Sequence, residues 1–281
     1  MKETIHAGTI PLSSRRGARG EVMNKLDKLF KNNNKNLLNI FCTAGSPRLD
    51  STTEVILSLQ KHGADMIEIG MPYSDPIADG PVIQQSNMIA LQNGMNMELL
   101  FKQLDSIKET VNVPLILMGY LNPVLQYGME RFCADAEAAG IDAVILPDLP
   151  MFEFEHLYQN IFAQHKLHFI FLITPGTGND RIKKADKLSS GFLYAVSSSA
   201  TTGNMGDSSR QEKYFKKLSA LELKNPVMIG FGISDHKSFS NACKHASGAI
   251  IGSAYIKALE HSEAIDRDTE IFIRSIRKEN E

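Results

Sequence analysis

The sequence predicts an α/β fold: a (β/α)8 TIM barrel with an N-terminal helix and extra short helices at the loops. Three observations lead there. From residue 37 onward one unit recurs, an apolar run of five to eight residues, a Gly- or Pro-marked loop and an amphipathic helix, and eight such runs can be counted. The runs are nearly continuous in apolar character rather than alternating, which is the pattern of parallel strands buried on both faces. The chain of 281 residues, 43% hydrophobic, can bury one large core, and its composition does not break after residue 37. A doubly wound open sheet is the rival architecture. It is disfavoured because Thr43-Ala44-Gly45-Ser46-Pro47 follows the first run where a G-x-G-x-x-G turn would stand.

The elements follow in order. Residues 1–20, with Arg15, Arg16 and several Gly and Ser, are expected to be a flexible N-terminal extension, and residues 21–281 a single barrel domain. A transit peptide is an alternative for the extension, but it has no clear apolar face. Residues 21–32 set Val22, Leu26, Leu29 and Phe30 at helical spacing, as in a lead-in helix that plugs or edges a domain, and the Asn run after them stops it. Strands are expected at 37–44, 64–70, 114–119, 142–147, 168–174, 191–197, 226–231 and 248–252. Helices are expected at 51–62, 98–110, 129–138, 152–165, 179–189, 208–221, 236–246 and 264–278.

A formal charge of −2 gives no nucleic-acid or membrane signal. Cys42, Cys133 and Cys243 lie far apart, without metal-ligand spacing or a disulfide framework, which suits a reducing cytoplasm. No apolar stretch approaches the ~20 residues of a membrane span.

The second strand carries the most information. Glu68 interrupts its apolar run, and strand alternation places Met66, Glu68 and Gly70 on one side, Ile67 and Ile69 on the other. A carboxylate between two buried faces is costly unless paired or held neutral. No other predicted strand contains Lys or Arg, so a structural ion pair lacks an obvious partner, and a functional carboxyl with a tuned pKa is the stronger reading. Asp79, eleven residues on, has two readings, since Asp79-Gly80 is also an ordinary turn.

In a barrel, chemistry gathers at the C-terminal strand ends. Strands six to eight run into small residues there: Gly203, Gly232, Gly252 and Ser253. Each glycine alone fits a helix-entry turn, but three turns facing one point suit a phosphorylated substrate held by amides and helix N-termini. Those loops contain no Lys or Arg. None of the eight histidines falls at a strand's C-terminal end, so no metal site is expected, and the lysines lie in helices or loops rather than in the mouth. Acid–base catalysis by Glu68 and Asp79 on a phosphorylated molecule that supplies its own electron sink is what remains.

Five segments carry a family resemblance: FCTAG at 41–45, IEIGMPYSDPIADGPVIQ at 67–84, MGYLNPV at 118–124, PDLP at 147–150 and GFGIS at 230–234. Together they resemble the tryptophan synthase alpha chain, from about residue 21 to the end. The resemblance implies a lyase of tryptophan biosynthesis that cleaves indole-3-glycerol phosphate to indole and glyceraldehyde 3-phosphate. It implies a beta chain partner in an alpha2beta2 heterotetramer, which receives the indole and holds pyridoxal phosphate, a cofactor this chain does not hold. By position, Glu68 is the acid–base residue and Asp79 the hydrogen-bond acceptor for the indole N–H. Phe41 and Ile145 bracket the indole, Tyr194 lines the site, and Thr202, Gly203, Gly232, Gly252 and Ser253 match substrate- and phosphate-binding positions. The loop at 72–79 and the Asn122-Pro123 region would face the beta chain, and residues 198–206 would form a closing lid. The chain departs from the family pattern at Ala200-Thr201-Thr202-Gly203, where Gly-Val-Thr-Gly is usual, at Ser46 for Asp, and at Ile251 for Ser. The competing enzymes are a phosphosugar isomerase, disfavoured by the paired carboxylates, and indole-glycerol phosphate synthase, disfavoured by the lack of a mouth lysine. A non-enzymatic activator of the beta chain would need a missing carboxylate or a filled pocket.

Overall fold

The computed structural model describes residues 23–196 and 208–278. The expected N-terminal extension at 1–20 and lid at 198–206 lie outside them. All strand pairs are parallel, among β1 (Leu37–Thr43), β2 (Met66–Gly70), β3 (Leu115–Met118), β4 (Ala143–Ile145), β5 (His168–Phe169), β6 (Leu172–Ile173), β7 (Leu193–Val196), β8 (Val227–Gly230) and β9 (Gly248–Ile251). They hydrogen-bond in the order β5-β4-β3-β2-β1-β9-β8-β7-β6. The two ends of that order, β5 and β6, are halves of the single strand expected at 168–174. The first half pairs with β4, and Ile170 N–H continues the ladder to the Val144 carbonyl at 3.1 Å; the second pairs with β7, with Tyr194 N–H donating to Phe171 O at 3.1 Å. One strand thus joins both edges, and the sheet closes into the barrel.

Side-chain alternation divides the core in two. Ile67, Ile69, Leu115, Leu117, Val144, Leu193 and Ile251 pack outward under the helices. Leu37, Phe41, Met66, Ile116, Met118, Ile145, Tyr194, Met228 and Ile250 fill the barrel interior. The lead-in helix Lys25–Asn32 inserts Leu26 into that interior cluster, with Leu29 and Phe30 packed against it. Asn24 starts this helix by accepting from Leu26 N–H at 2.8 Å, while its Nδ2 donates to Asp142 O at 3.0 Å. Asp142 answers by accepting from the backbone N–H of Lys25 and Leu115, so the plug is tied to β3 and β4 through one buried carboxyl. A core leucine truncated to alanine costs about 2–5 kcal/mol, so Leu26 is a main contributor to barrel stability.

The extra short helices are Leu121–Tyr127 and Ser253–Leu259, joined by a longer one at Pro81–Gln92. Pro81 opens the last of these at its first position and Pro123 sits in the first turn of Leu121–Tyr127, both places where a missing N–H is harmless. The helix expected at 152–165 differs in detail. A π-helical turn, Phe154–Tyr158, interrupts it and carries Phe154 onto Phe169, ring centroids 4.3 Å apart. No helix among the described residues is long and apolar enough to cross a membrane.

Candidate active site

Seven of the singled-out residues line one cavity of about 410 Å³ at the C-terminal strand ends: Phe41, Glu68, Asp79, Tyr194, Gly232, Gly252 and Ser253. Strand register explains the first two. Phe41 on β1 stands opposite Glu68 on β2, and Gly70, next along the same face, leaves the space that the Phe41 ring occupies; a β-carbon there would lie 2.5 Å from its Cζ. Glu68 is 1% exposed. Burial pushes its carboxyl up to about 8, with the Asp79 charge adding to the rise and a hydrogen bond from Asn39 opposing it. That bond, Asn39 Nδ2 to Glu68 Oε2 at 3.1 Å, is the partner the sequence did not reveal; it comes from a neutral amide rather than a cation.

Asp79 lies on the loop between β2 and the Pro81–Gln92 helix. Tyr120, just after β3, donates its hydroxyl to Asp79 Oδ2 at 3.1 Å and accepts from Ala78 N–H at 2.9 Å. Gln84 Nε2 donates to the Asp79 carbonyl at 2.9 Å, so the loop is tied from two sides. Burial raises the Asp79 carboxyl to about 6, and the Tyr120 bond opposes that rise. The turn lies just before Asp79-Gly80, at 76–79, where Asp79 N–H donates to Pro76 O at 3.0 Å; it delivers the Asp79 carboxyl to the cavity, and Gly80 leads into the next helix.

Tyr194 on β7 is buried, and its hydroxyl is held well above its usual range by burial and by the Glu68 and Asp79 charges. Gly230 makes room for it, since a β-carbon would overlap the Tyr194 hydroxyl. The chain then turns through Phe231 and Gly232, both left-handed at φ 65° and 74°, which sets the Phe231 ring against Tyr194 at 6.0 Å. Met118, Ile83, Phe231 and Ile250 complete an apolar wall.

Other expectations come out differently. Ile145 is fully buried in the interior cluster and is not part of the cavity lining. Thr202 and Gly203 lie outside the described residues. Ser253 opens the helix Ser253–Leu259, and Gly252 is that helix's cap residue. Ile251 packs outward, so the exchange at that position leaves the cavity wall unchanged. A mouth lysine does exist. Lys257 lines the cavity because it stands four residues after Ser253 on the same helix face, a placement invisible to an inspection of loops alone. Asn39, Tyr120 and Lys257 are thus the site residues that sequence reasoning missed. Asn39 carried a signal, as the lone polar side chain between Leu37 and Phe41 on the inward row.

A model of the tryptophan synthase alpha chain family matches residues 27–280. The chain belongs to the tryptophan synthase alpha chain family. It is 48% identical over 242 residues to the tryptophan synthase alpha chain of Bacteroides thetaiotaomicron, covering 86% of this chain and 94% of that one. It is 49% identical over 238 residues to that of Flavobacterium psychrophilum, with 84% and 94% covered. Among solved structures, the tryptophan synthase alpha chain of Legionella pneumophila superposes with a TM-score of 0.81 at 31% identity, over 92% of this chain and 97% of that one. Tryptophan synthase from M. tuberculosis in an aminoacrylate-bound form gives 0.79 at 27%, over 90% and 98%. Membership of the alpha chain family accords with the barrel and with the segments at 41–45, 67–84, 118–124, 147–150 and 230–234.

Proposed function

We propose that this chain cleaves indole-3-glycerol phosphate to indole and glyceraldehyde 3-phosphate in tryptophan biosynthesis and passes the indole to a beta chain. The observation that carries the reading is one cavity that brings two buried carboxyls, Glu68 and Asp79, together beside an aromatic wall; burial pushes them up unequally, to about 8 and about 6. Near neutral pH Glu68 therefore holds a proton while Asp79 is ionised, which separates an acid from an anion.

The reaction needs that division. Glu68 gives its proton to the indole carbon bearing the glycerol chain, and positive charge develops at the ring nitrogen. Asp79 accepts a hydrogen bond from the ring N–H and stabilises that charge. Loss of the hydroxyl proton from the adjacent chain carbon forms the aldehyde as the carbon–carbon bond breaks, and its electron pair restores neutral indole. Glu68, now ionised, takes up that proton, so one proton moves from oxygen to carbon and the enzyme is unchanged. Phe41 provides the apolar face for the ring. Gly232, Gly252, Ser253 and Lys257 receive the phosphate, the glycines by permitting close backbone approach and Lys257 by its charge.

Pyridoxal phosphate chemistry belongs to the beta chain in this reading. A beta chain partner is supported by the segments named from the sequence, which line one groove of about 630 Å³ where Tyr73, Asp75, Asn122 and Pro123 come together. Indole-3-glycerol phosphate supplied to the full chain should yield indole, slowly alone and faster with the beta chain. No indole under either condition would refute the activity.

A further inference from the structure

Asn39 is fully buried on the inward row of β1, between Leu37 and Phe41. Only one end of its amide is satisfied. Nδ2 donates to Glu68, while Oδ1 is buried with no hydrogen-bond partner among the described residues. An orphaned buried acceptor costs about 1–3 kcal/mol, which an apolar side chain would avoid. The cost calls for a gain elsewhere, and among the described residues the polar side chain hydrogen-bonded to Asn39 is the carboxyl of Glu68.

We propose that Asn39 is the positioning residue of Glu68, its amide turning over to serve both protonation states of that carboxyl. The inference rests on the reading of Glu68 as the proton carrier. When Glu68 is ionised, the amide donates through Nδ2, as in the structure. When Glu68 carries a proton on Oε2, a half-turn of the Asn39 amide exchanges its ends, and Oδ1 accepts the carboxyl O–H. The orphaned oxygen is then the idle half of a two-position device. A Lys or Arg at residue 39 would hold Glu68 ionised and stop it giving a proton; an apolar residue would hold neither state in place. Asn39 does not line the cavity, so it acts through Glu68 and not on substrate.

Other charged or titratable groups stand around Glu68, none of them hydrogen-bonded to it among the described residues. Asp79 faces it from the loop after β2, Tyr194 from β7, and Cys42 from the neighbouring position on β1, with its thiol pushed up to about 12 by burial and the Glu68 charge. Lys257 stands on the cavity wall.

The test follows the side-chain amide of Asn39 by NMR in the full chain while the Glu68 carboxyl carbon is titrated. The Asn39 NH2 pair should shift with the same midpoint as Glu68 and become pH-independent in Glu68→Gln; a pair that stays flat through the Glu68 titration overturns the proposal. In Asn39→Leu, kcat should fall about tenfold or more with KM little changed, and the basic limb of the pH–rate profile should move upward, because of the two bonds lost the charge-assisted one to ionised Glu68 is the stronger. An unmoved basic limb also overturns it. If that variant does not fold, the wild-type titration still decides. Should Glu68→Gln retain full turnover while the Asn39 pair still tracks Glu68, the proton-carrier reading fails and the coupling itself stands.

Discussion

Tyr120 fixes Asp79 in the cavity with one hydroxyl that does two jobs, donating to the Asp79 carboxylate at 3.1 Å and accepting from the Ala78 backbone at 2.9 Å. The loop that carries the charge-stabilising carboxyl is thereby tied to the end of β3 rather than to its own strand. Catalysis around one ring needs both carboxyls in register, so this tie governs turnover from outside the reacting atoms.

Tyr120→Phe should therefore loosen the loop and remove a bond that favours the ionised Asp79. A hydrogen bond to a charged group contributes about 1.5–3 kcal/mol, so kcat should fall at least tenfold. The acid limb of the pH–rate profile should rise above about 6, because the Tyr120 bond holds the Asp79 carboxyl down. Hydrogen exchange over residues 71–81 should quicken in the same variant. Beta chain binding should slow it again while turnover rises; unchanged protection would place activation elsewhere than in this loop.

The wild-type profile of kcat/KM should be bell-shaped. Asp79 must be ionised, giving an acid limb near 6, and Glu68 must carry its proton, giving a basic limb near 8. Initial rates of indole release from pH 5 to 9 check both limbs. A rate still climbing beyond pH 9 would exclude a protonated Glu68 as the acid.

Stability should respond to pH through the same carboxyl. The ordinary value for Glu68 is 4.5 and burial raises it to about 8, so between those values the folded chain holds a proton that the unfolded chain has released. Stability then falls as pH rises through that window. Glu68→Gln removes this dependence, and it should be more stable than wild type by a few kcal/mol above pH 8, with the difference vanishing below about pH 4.5. Urea melts at pH 4.5 and 8.5 measure it.

Gly252→Val should weaken substrate binding while leaving the fold intact. A β-carbon at Gly252 already meets Phe41 at 3.4 Å, and the added methyl groups would crowd the backbone approach to phosphate. KM should rise with kcat little altered. Lys257→Gln should raise KM as well, and more so at low salt.

The barrel was legible because period and length carry it: eight apolar runs, each too continuous for an exposed sheet, became the eight walls of the barrel, with the run at 168–174 divided between two neighbours. Glu68 was legible for the same reason, as a charge inside such a run. What escaped were residues whose role is set by packing across the chain. Tyr120 sits 41 residues from Asp79 and Asn39 sits 29 from Glu68, so neither spacing forms a local motif. Lys257 was missed because a helix turn, not a loop, brings it to the wall. Ile145, expected at the cavity from the family resemblance, lies within the barrel filling, although it is in register with Met118, which does line the cavity.

The central claim is that Glu68 is the group that moves the proton, and its most direct measurement is indole release by Glu68→Gln, alone and with the beta chain, at matched thermal stability. The amide keeps the shape and a hydrogen bond for Asn39 but cannot give and retake a proton. Turnover should fall by at least ~10²-fold in both conditions with the protein folded. Turnover near wild type in that folded variant would contradict the account.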